Sequence, residues 1–246
     1  MKAAPEAQKR LLDLAELDSV IDRLAHRRRT LPELAEIDEQ SKRLARLVTQ
    51  VIEAQTESGD LAREQTKAEN DVDAVRTRAD RDQKRLDSGA VTSPRDLASL
   101  QSEITSLQRR QGDLEEVVLE IMERREAAKV TAADLVSQRD EVATARAAAE
   151  DRRDAALKEI DKEAGDVQGR RSGVAGEIPA DLLKLYEKLK DQYVVGAAML
   201  RGGRCQGCKV ALSIAEMNSI KGAPHDEVLR CEECRRILVR TPESGL

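Results

Sequence analysis

The sequence predicts a mainly α-helical protein, in which a long antiparallel coiled-coil helical hairpin is followed by a small C-terminal α+β module. Three observations lead to this fold class. The 246-residue chain contains no Trp or Phe and is 36% charged, which favours long helices over one large globular core. Apolar residues recur every three or four positions over two long stretches. All four cysteines lie near the C-terminal end.

The first arm of the predicted hairpin extends from about residue 8 to residue 86. Leu14, Leu17 and Ile21 begin a spacing of threes and fours that is typical of the seam through which two coiled-coil helices face each other. Pro32 should kink or break this helix, because proline lacks an N–H group and its ring clashes with the preceding turn. Beyond residue 52 the seam contains mainly Ala and Val.

The strongest break in the first half of the chain spans residues 87–94. Gly89 permits the backbone conformation that commonly ends a helix, and Ser93 and Pro94 suit the N-cap and first position of the next helix. A second seam then continues to about residue 164, after which glycines are expected to end the helix. These glycines are Gly165, Gly169, Gly173 and Gly176.

The two helices are expected to fold back on each other as an antiparallel pair, because they have similar lengths and a short connection. Two independent helices, or a parallel coil between two copies, are the alternatives. Counting outward from the turn places the leucine-rich start of the first arm opposite arginines such as Arg125 and Arg139. Either the arginine stems cover the apolar surface, or a partner helix or second copy does.

The outer half of the hairpin shows the opposite mismatch. Leu97, Leu100, Ile104 and Leu107 begin an apolar seam, whereas the facing stretch of the first arm offers mainly Ala and Val. Small residues let the arms approach closely, but leucines that remain exposed to solvent would form an apolar surface of the kind that marks a partner-binding site. These four residues are therefore predicted to bind a protein partner or a second copy.

The C-terminal module is predicted to contain short elements. Leu182, Leu185, Tyr186 and Leu189 lie on one face of a helix that ends near residue 190. A helix over 214–220 should begin with a capping box formed by Ser213 and Glu216. Strands are predicted at 194–200, 210–212, 228–229 and 237–239. The predicted domains are the hairpin, residues 1–175, and a linker helix with the cysteine module, residues 176–246.

The four cysteines form two Cys-x-x-Cys pairs, Cys205 with Cys208 and Cys231 with Cys234. This spacing lets both sulfurs of a tight turn face one ion, and two such pairs predict a tetrahedral Zn²⁺ site in a zinc ribbon. A redox pair would need a βαβ context, and disulfides would need an oxidising compartment. The charged start of the sequence has no apolar signal-peptide region. Four thiolates leave no open coordination position, so one structural zinc ion is predicted. His225 is interpreted as a solvated loop residue.

Basic residues surround the cysteine pairs, although the whole chain has a formal net charge of −5. The candidate nucleic-acid-binding residues are Arg201, Arg204, Lys209, Lys221, Arg230, Arg235, Arg236 and Arg240. The local positive excess is small, and no aromatic residue except Tyr193 is near enough to stack on bases. No nucleophile–base pair, phosphate-binding Gly-rich loop or open metal site is recognisable, so an enzyme is not predicted.

Two stretches resemble the bacterial C4-type zinc-ribbon proteins that have an N-terminal coiled-coil hairpin. Residues 88–97, with 100–104, resemble the hairpin tip, although Arg95 stands where an acidic or aromatic residue is usual. Residues 178–186, the four cysteines and 236–239 resemble the C-terminal module. The resemblance implies a cytoplasmic, non-enzymatic protein that binds nucleic acid or protein partners.

The combined prediction is a zinc-binding adaptor. Its ribbon is predicted to bind RNA or DNA, and its coiled coil to bind a protein partner. The alternative is a protein-binding scaffold or chaperone-like adaptor without nucleic-acid binding. The sequence leaves the oligomeric state and the identity of the partner open.

Overall fold

The computed structural model describes all residues, Met1–Leu246, and confirms the predicted fold class. The elements in chain order are α1 (Pro5–Arg29), α2 (Pro32–Asp87), α3 (Pro94–Gly176), α4 (Ala180–Lys190), β1 (Ala197–Arg201), β2 (Arg204–Cys205), α5 (Ile214–Gly222), β3 (Leu229–Arg230) and β4 (Ile237–Val239). A single 3₁₀ turn, Pro242–Ser244, follows β4. No helix has both the length and the apolar composition that crossing a membrane requires.

The helix boundaries of the two arms largely follow the predicted signals. The first arm breaks between Arg29 and Pro32, and this proline occupies the first position of α2. The turn between α2 and α3 contains Gly89, whose φ of 67° lies in the left-handed region. The Ser93 hydroxyl accepts a hydrogen bond from the Asp96 N–H at 3.5 Å, which caps α3 as expected.

The prediction that glycines end the second helix near residue 164 is wrong, because α3 continues to Gly176. Glycine inside a helix costs about 1 kcal/mol relative to alanine, but packing in this region outweighs that cost. Val167 and Ile160 are almost fully buried, and Arg171 is held by ion pairs to two other helices. Tertiary contacts therefore keep helical a segment that local preference would end.

Two predicted strands differ from the observed ones. The strand before the first cysteine begins at Ala197 rather than at residue 194, and the strand after Cys208 is reduced to one bridge between Arg204 and Ala211. Gly196 has a packing reason at the start of β1: a Cβ there would lie 2.3 Å from the Tyr186 carbonyl oxygen. The close approach of α4 thus requires glycine immediately before the strand.

The chain packs into two compact units, one of Met1–Leu34 with Asp151–Leu246 and one of Ala35–Glu150. The first unit combines helical residues from both arms with the cysteine module, whereas the second contains helical residues and the turn. The predicted boundary between a hairpin domain, residues 1–175, and a C-terminal domain, residues 176–246, stays a prediction.

The core of the first unit joins α1, α4 and the ribbon strands. Leu11 and Leu14 of α1 pack in one cluster with Leu182 and Tyr186 of α4 and with Ile237 of β4. All five are at most 1% exposed. The N-terminal residues add backbone hydrogen bonds to the loop at 226–228. The ribbon therefore shares its core with α1 and α4.

A buried charged cluster connects three helices of this unit. Asp18 of α1 is 2% exposed and accepts hydrogen bonds from Arg171 Nε of α3 at 2.6 Å and from the Tyr186 hydroxyl at 2.6 Å. Lys190 Nζ lies 2.8 Å from the same carboxylate, and Arg171 also contacts Glu187 at 2.7 Å. Burial alone would raise the pKa of Asp18, but these three donors outweigh burial and lower it.

The second unit is held together by a seam between α2 and α3. Leu47, Val51 and Leu61 of α2 and Ile104 and Ile121 of α3 are at most 5% exposed. Alanines at positions 54, 68, 79 and 128 are also buried in it. Contacts between the arms favour the antiparallel hairpin over the alternatives.

Two such contacts show the pairing of the arms. Arg78 pairs with Glu103, as counting from the turn predicts. Farther from the turn, Arg125 Nη1 donates to Gln65 Oε1 at 2.9 Å. Arg125 lies farther along α3 than the residue that equal counting from the turn would place opposite Gln65.

Candidate metal centre

Two tight turns, here called the first and second knuckles, present the cysteines from a four-stranded sheet. The strand order is β2-β1-β4-β3, with β1 antiparallel to β2 and parallel to β4, and β4 antiparallel to β3. The first knuckle begins in β2 at Cys205, and the second lies between β3 and β4. The pairing of β1 with β4 brings the knuckles together, although they are far apart in sequence.

The two knuckles have the same backbone geometry. The Lys209 N–H donates to the Cys205 carbonyl at 2.8 Å, and the Arg235 N–H donates to the Cys231 carbonyl at 2.9 Å. In each knuckle the N–H of the first cysteine then donates to the carbonyl five residues later, at 3.0 Å. Lys209 and Arg235 both have φ of 62°, in the left-handed region that non-glycine residues seldom adopt. Each knuckle is thus closed by a strained basic residue.

The four sulfurs have the spacing that a zinc ion requires. All lie within 4.8 Å of one another, and none is in a disulfide. The Sγ atoms of Cys205 and Cys234 are 3.8 Å apart, and those of Cys208 and Cys231 are 3.9 Å apart. A tetrahedral ion with Zn–S bonds of ~2.3 Å separates its ligand sulfurs by ~3.8 Å. The four cysteines therefore fit one zinc ion.

The surroundings of the thiols determine how strongly protons compete with the metal for them. Burial raises the pKa of Cys205 and raises that of Cys231 to about 12. Burial also acts on Cys234, but hydrogen bonds from Arg236 outweigh it and lower the pKa to about 7. Zinc binds thiolates, so ion binding must displace protons from the buried sulfurs. Zinc affinity should accordingly fall in acid.

Arg236 supports the first knuckle from outside the ligand set. Its guanidinium stacks over the Tyr193 ring, 4.4 Å from the centroid, and its Nε donates to the Val195 carbonyl at 3.1 Å. A Cβ on Gly207 would lie 2.9 Å from both Arg236 Cδ and Ala198 Cβ. Glycine between the cysteines of the first knuckle therefore lets this arginine pass close to the turn.

The structure uses four of the eight candidate nucleic-acid-binding residues in contacts with backbone atoms or carboxylates of the protein, among them Arg230, whose Nε donates to the Arg235 carbonyl at 2.9 Å. Arg236 makes the contacts just described. Arg240 donates to four backbone carbonyls of the segment that ends α5 and precedes β3, at 2.6–3.4 Å. Arg201 pairs with Glu243 at 2.9 Å. The contacts of Arg236 and Arg240 hold the fold of the module, and sequence reasoning missed them because they depend on backbone atoms that are distant in the chain.

The other four candidates are Arg204, Lys209, Lys221 and Arg235. Like Arg230, they are exposed and form no ion pair. Arg204 and Lys209 directly flank the first knuckle, and Arg230 and Arg235 directly flank the second. Their role in binding nucleic acid stays a prediction. His225 is also exposed, and it does not belong to the cysteine cluster.

The four predicted partner-binding residues lie in the hairpin seam. Leu100 and Ile104 are 8% and 5% exposed, and Leu97 and Leu107 are half-buried. The small residues of α2 therefore let the arms approach closely enough to cover most of this apolar surface. Their role in partner binding stays a prediction, although none of these four residues is the solvent-exposed leucine or isoleucine on which that prediction was based.

Comparisons with known proteins agree with this architecture. The CT398-like coiled coil hairpin domain matches residues 14–194, and the C4-type zinc ribbon domain matches residues 204–238. An uncharacterized protein of Mycobacterium tuberculosis is 37% identical over 242 residues, which cover 98% of each chain. A solved structure from Mycobacterium smegmatis has a TM-score of 0.86 and 35% identity, covering 98% of this chain and 100% of that one. CT398 from Chlamydia trachomatis shares the fold, with a TM-score of 0.70, 18% identity and coverage of 96% and 98%.

Proposed function

Because this chain belongs to the bacterial family that joins a CT398-like coiled-coil hairpin to a C4-type zinc ribbon, we propose that it is a non-catalytic adaptor whose ribbon binds nucleic acid. The zinc ion has a structural role in this proposal, since four thiolates fill its coordination sphere. The ion holds the two knuckles together and thereby fixes the basic residues beside them.

The observation that supports nucleic-acid binding is the arrangement of four cations, here called the basic rim. Arg204, Lys209, Arg230 and Arg235 flank the two knuckles in matching positions, and all four are exposed without an ion-pair partner. Phosphate groups are the ligands that such cations bind most commonly in nucleic acids, independently of sequence. The proposed ligand is therefore a sugar-phosphate backbone.

The expected affinity is modest. Glu232 and Glu233 lie exposed between the cysteines of the second knuckle, and zinc with four thiolates adds a net charge of −2. These negative charges offset much of the basic rim. Binding should accordingly be detectable at low salt and fall steeply as salt rises, because each phosphate contact releases counterions.

The test uses the full chain loaded with zinc and fluorescently labelled 20-nucleotide RNA, single-stranded DNA and duplex DNA. Anisotropy is measured for the wild type and for a variant with Arg204, Lys209, Arg230 and Arg235 all changed to Gln. The matched control changes four exposed arginines of the second unit to Gln: Arg43, Arg46, Arg109 and Arg110. Both variants lose four positive charges. If the basic rim is the binding site, only the first variant should lose most of the affinity and most of its salt dependence.

Equal binding by the two variants, with zinc content unchanged in both, would contradict the basic rim as the site. Absence of binding to all three nucleic acids at low salt would favour the second candidate, a protein-binding scaffold. One observation favours that candidate specifically: several apolar side chains of the second unit are exposed, among them Leu119 at 60%.

A further inference from the structure

The second unit contains a groove between α2 and α3 that the seam does not fill. It has a volume of about 570 Å³ and is lined by Val72, Val118 and Leu119, with three carboxylate residues around them. Val72 and Val118 are half-buried, and Leu119 is 60% exposed. Met122, one helical turn after Leu119, is 45% exposed and continues the apolar surface along α3.

The three carboxylates beside this groove have no cationic partner. Glu69 accepts a hydrogen bond from the Gln65 amide at 2.7 Å, and Glu115 accepts one from the Gln111 amide at 2.7 Å. Asp73 is exposed, and no lysine or arginine pairs with any of the three. Elsewhere in the second unit, carboxylates such as Asp60 and Glu103 do pair with arginines. The groove is therefore an apolar surface with uncompensated negative charge.

We propose that this groove binds a basic amphipathic helix of a partner protein. An amphipathic helix in a groove uses apolar residues spaced by three and four as anchors. Its lysines or arginines, flanking those anchors, would meet the three carboxylates. A neutral or acidic helix would leave these charges unpaired, so charge complementarity selects a basic partner. The site lies on different residues from the basic rim and does not depend on nucleic-acid binding.

The first experiment compares two substitutions that change charge equally on the same helix. Leu119→Lys places a positive charge in the groove, where it would repel a basic partner. Val130→Lys alters a residue of α3 that is 54% exposed and does not line the groove. Both positions are exposed, so both variants should fold normally. The probe is a labelled 18-residue peptide with leucines on one helical face and lysines beside them. Its anisotropy is followed as zinc-loaded full chain is added.

We expect Leu119→Lys to weaken peptide binding about tenfold, as for loss of a central apolar anchor, and Val130→Lys to change it less than about twofold. A second peptide, with glutamate at every lysine position, should bind at least about tenfold more weakly than the first. Equal weakening by the two substitutions, or equal binding of the two peptides, would overturn the proposal.

Light scattering of the chain alone tests whether a second copy occupies the groove. We expect Leu119→Lys and the wild type to have the same mass at equal concentration. A wild-type dimer that this substitution converts to a monomer would assign the groove to self-association and overturn the proposed partner helix.

Discussion

The zinc ribbon and the second unit are stabilised in opposite ways. In the ribbon, strands of two to five residues depend on four cysteines and on close approaches at Gly196 and Gly207. In the second unit, Leu61, Ile104 and many similar residues each contribute a small part of one long seam. A small module without enough core of its own relies on a metal and here also on the core that it shares with α1 and α4, whereas a long hairpin divides its stability among repeated contacts. Substitutions should therefore have large and local effects in the ribbon and graded effects in the hairpin.

Removal of zinc should produce the largest difference between the two regions. Chelation, or Cys231→Ser, should unfold the ribbon, because zinc binding provides folding free energy for such modules. Most of the helical circular dichroism signal should remain, since α2 and α3 contain no zinc ligand. Hydrogen exchange should accelerate at the amides of residues 237–239 but not in the seam of the second unit.

Metal analysis provides the control for this prediction. The wild-type chain should contain about one zinc ion. A chain without zinc, or a loss of helical signal throughout the second unit after chelation, would contradict it.

Loss of the buried Asp18 carboxylate should be the next largest effect. Asp18→Ala leaves the buried Tyr186 hydroxyl without its acceptor and removes the buried carboxylate that pairs with the partly buried Arg171 and Lys190. Breaking a buried ion pair typically costs about 3–5 kcal/mol. The matched control is Asp13→Ala on the same helix, where the carboxylate is half exposed and pairs with Arg10 at 3.0 Å. The control should barely shift the urea midpoint of the first unit. Equal shifts would show that burial of the pair is unimportant.

Acid should act on the same carboxylate. The pKa of Asp18 is lowered below its ordinary value of 3.8 by its hydrogen bonds, so the unfolded state binds its proton more readily. Its stabilising contribution is complete above that value and is lost as pH falls through the lower folded pKa. As pH falls below about 4, wild type should therefore lose more unfolding free energy than Asp18→Ala. Parallel pH profiles of the two proteins would contradict this assignment.

Neighbouring residues of the hairpin should show how effects are graded by burial. Ile121→Ala removes a side chain that is 4% exposed and should cost about 2–5 kcal/mol. Leu119→Ala, two residues earlier and 60% exposed, should change stability by less than about 0.5 kcal/mol. Urea denaturation followed at 222 nm measures both. A comparable cost at the two positions would mean that the free chain covers Leu119.

The smallest expected effect is a gain in stability at a knuckle. Arg235 has φ of 62°, a conformation that costs a non-glycine residue roughly 1–2 kcal/mol. Arg235→Gly relieves this strain but increases the freedom of the unfolded chain, so the net gain should be below about 1 kcal/mol. Zinc affinity, measured by competition with a chelator, should rise slightly. A clear fall in zinc affinity would show that the arginine side chain itself supports the site.

The sequence by itself determined the features of this protein that depend on residues close together in the chain. The two arms follow from apolar spacing, the breaks follow from Pro32 and from the turn at Gly89, and the cap of α5 follows from Ser213 and Glu216, whose reciprocal hydrogen bonds are present. The zinc ligands belong to this group as well. Two residues between cysteines fix the geometry of each knuckle locally, and only the pairing of the two knuckles required the fold.

Tertiary structure alone decided which residues of similar local pattern are buried, paired or free. The glycines after residue 164 indicate a helix end, yet α3 continues because Val167 and Arg171 gain contacts from other helices. Arg236 and Arg240 resemble Arg204 and Arg235 in sequence, but only the first two meet backbone carbonyls. The open groove at Leu119 and the buried carboxylate of Asp18 likewise depend on residues far away in the chain. Local spacing specifies which face a side chain lies on, whereas its burial and charge partner are specified by the elements that pack against that face.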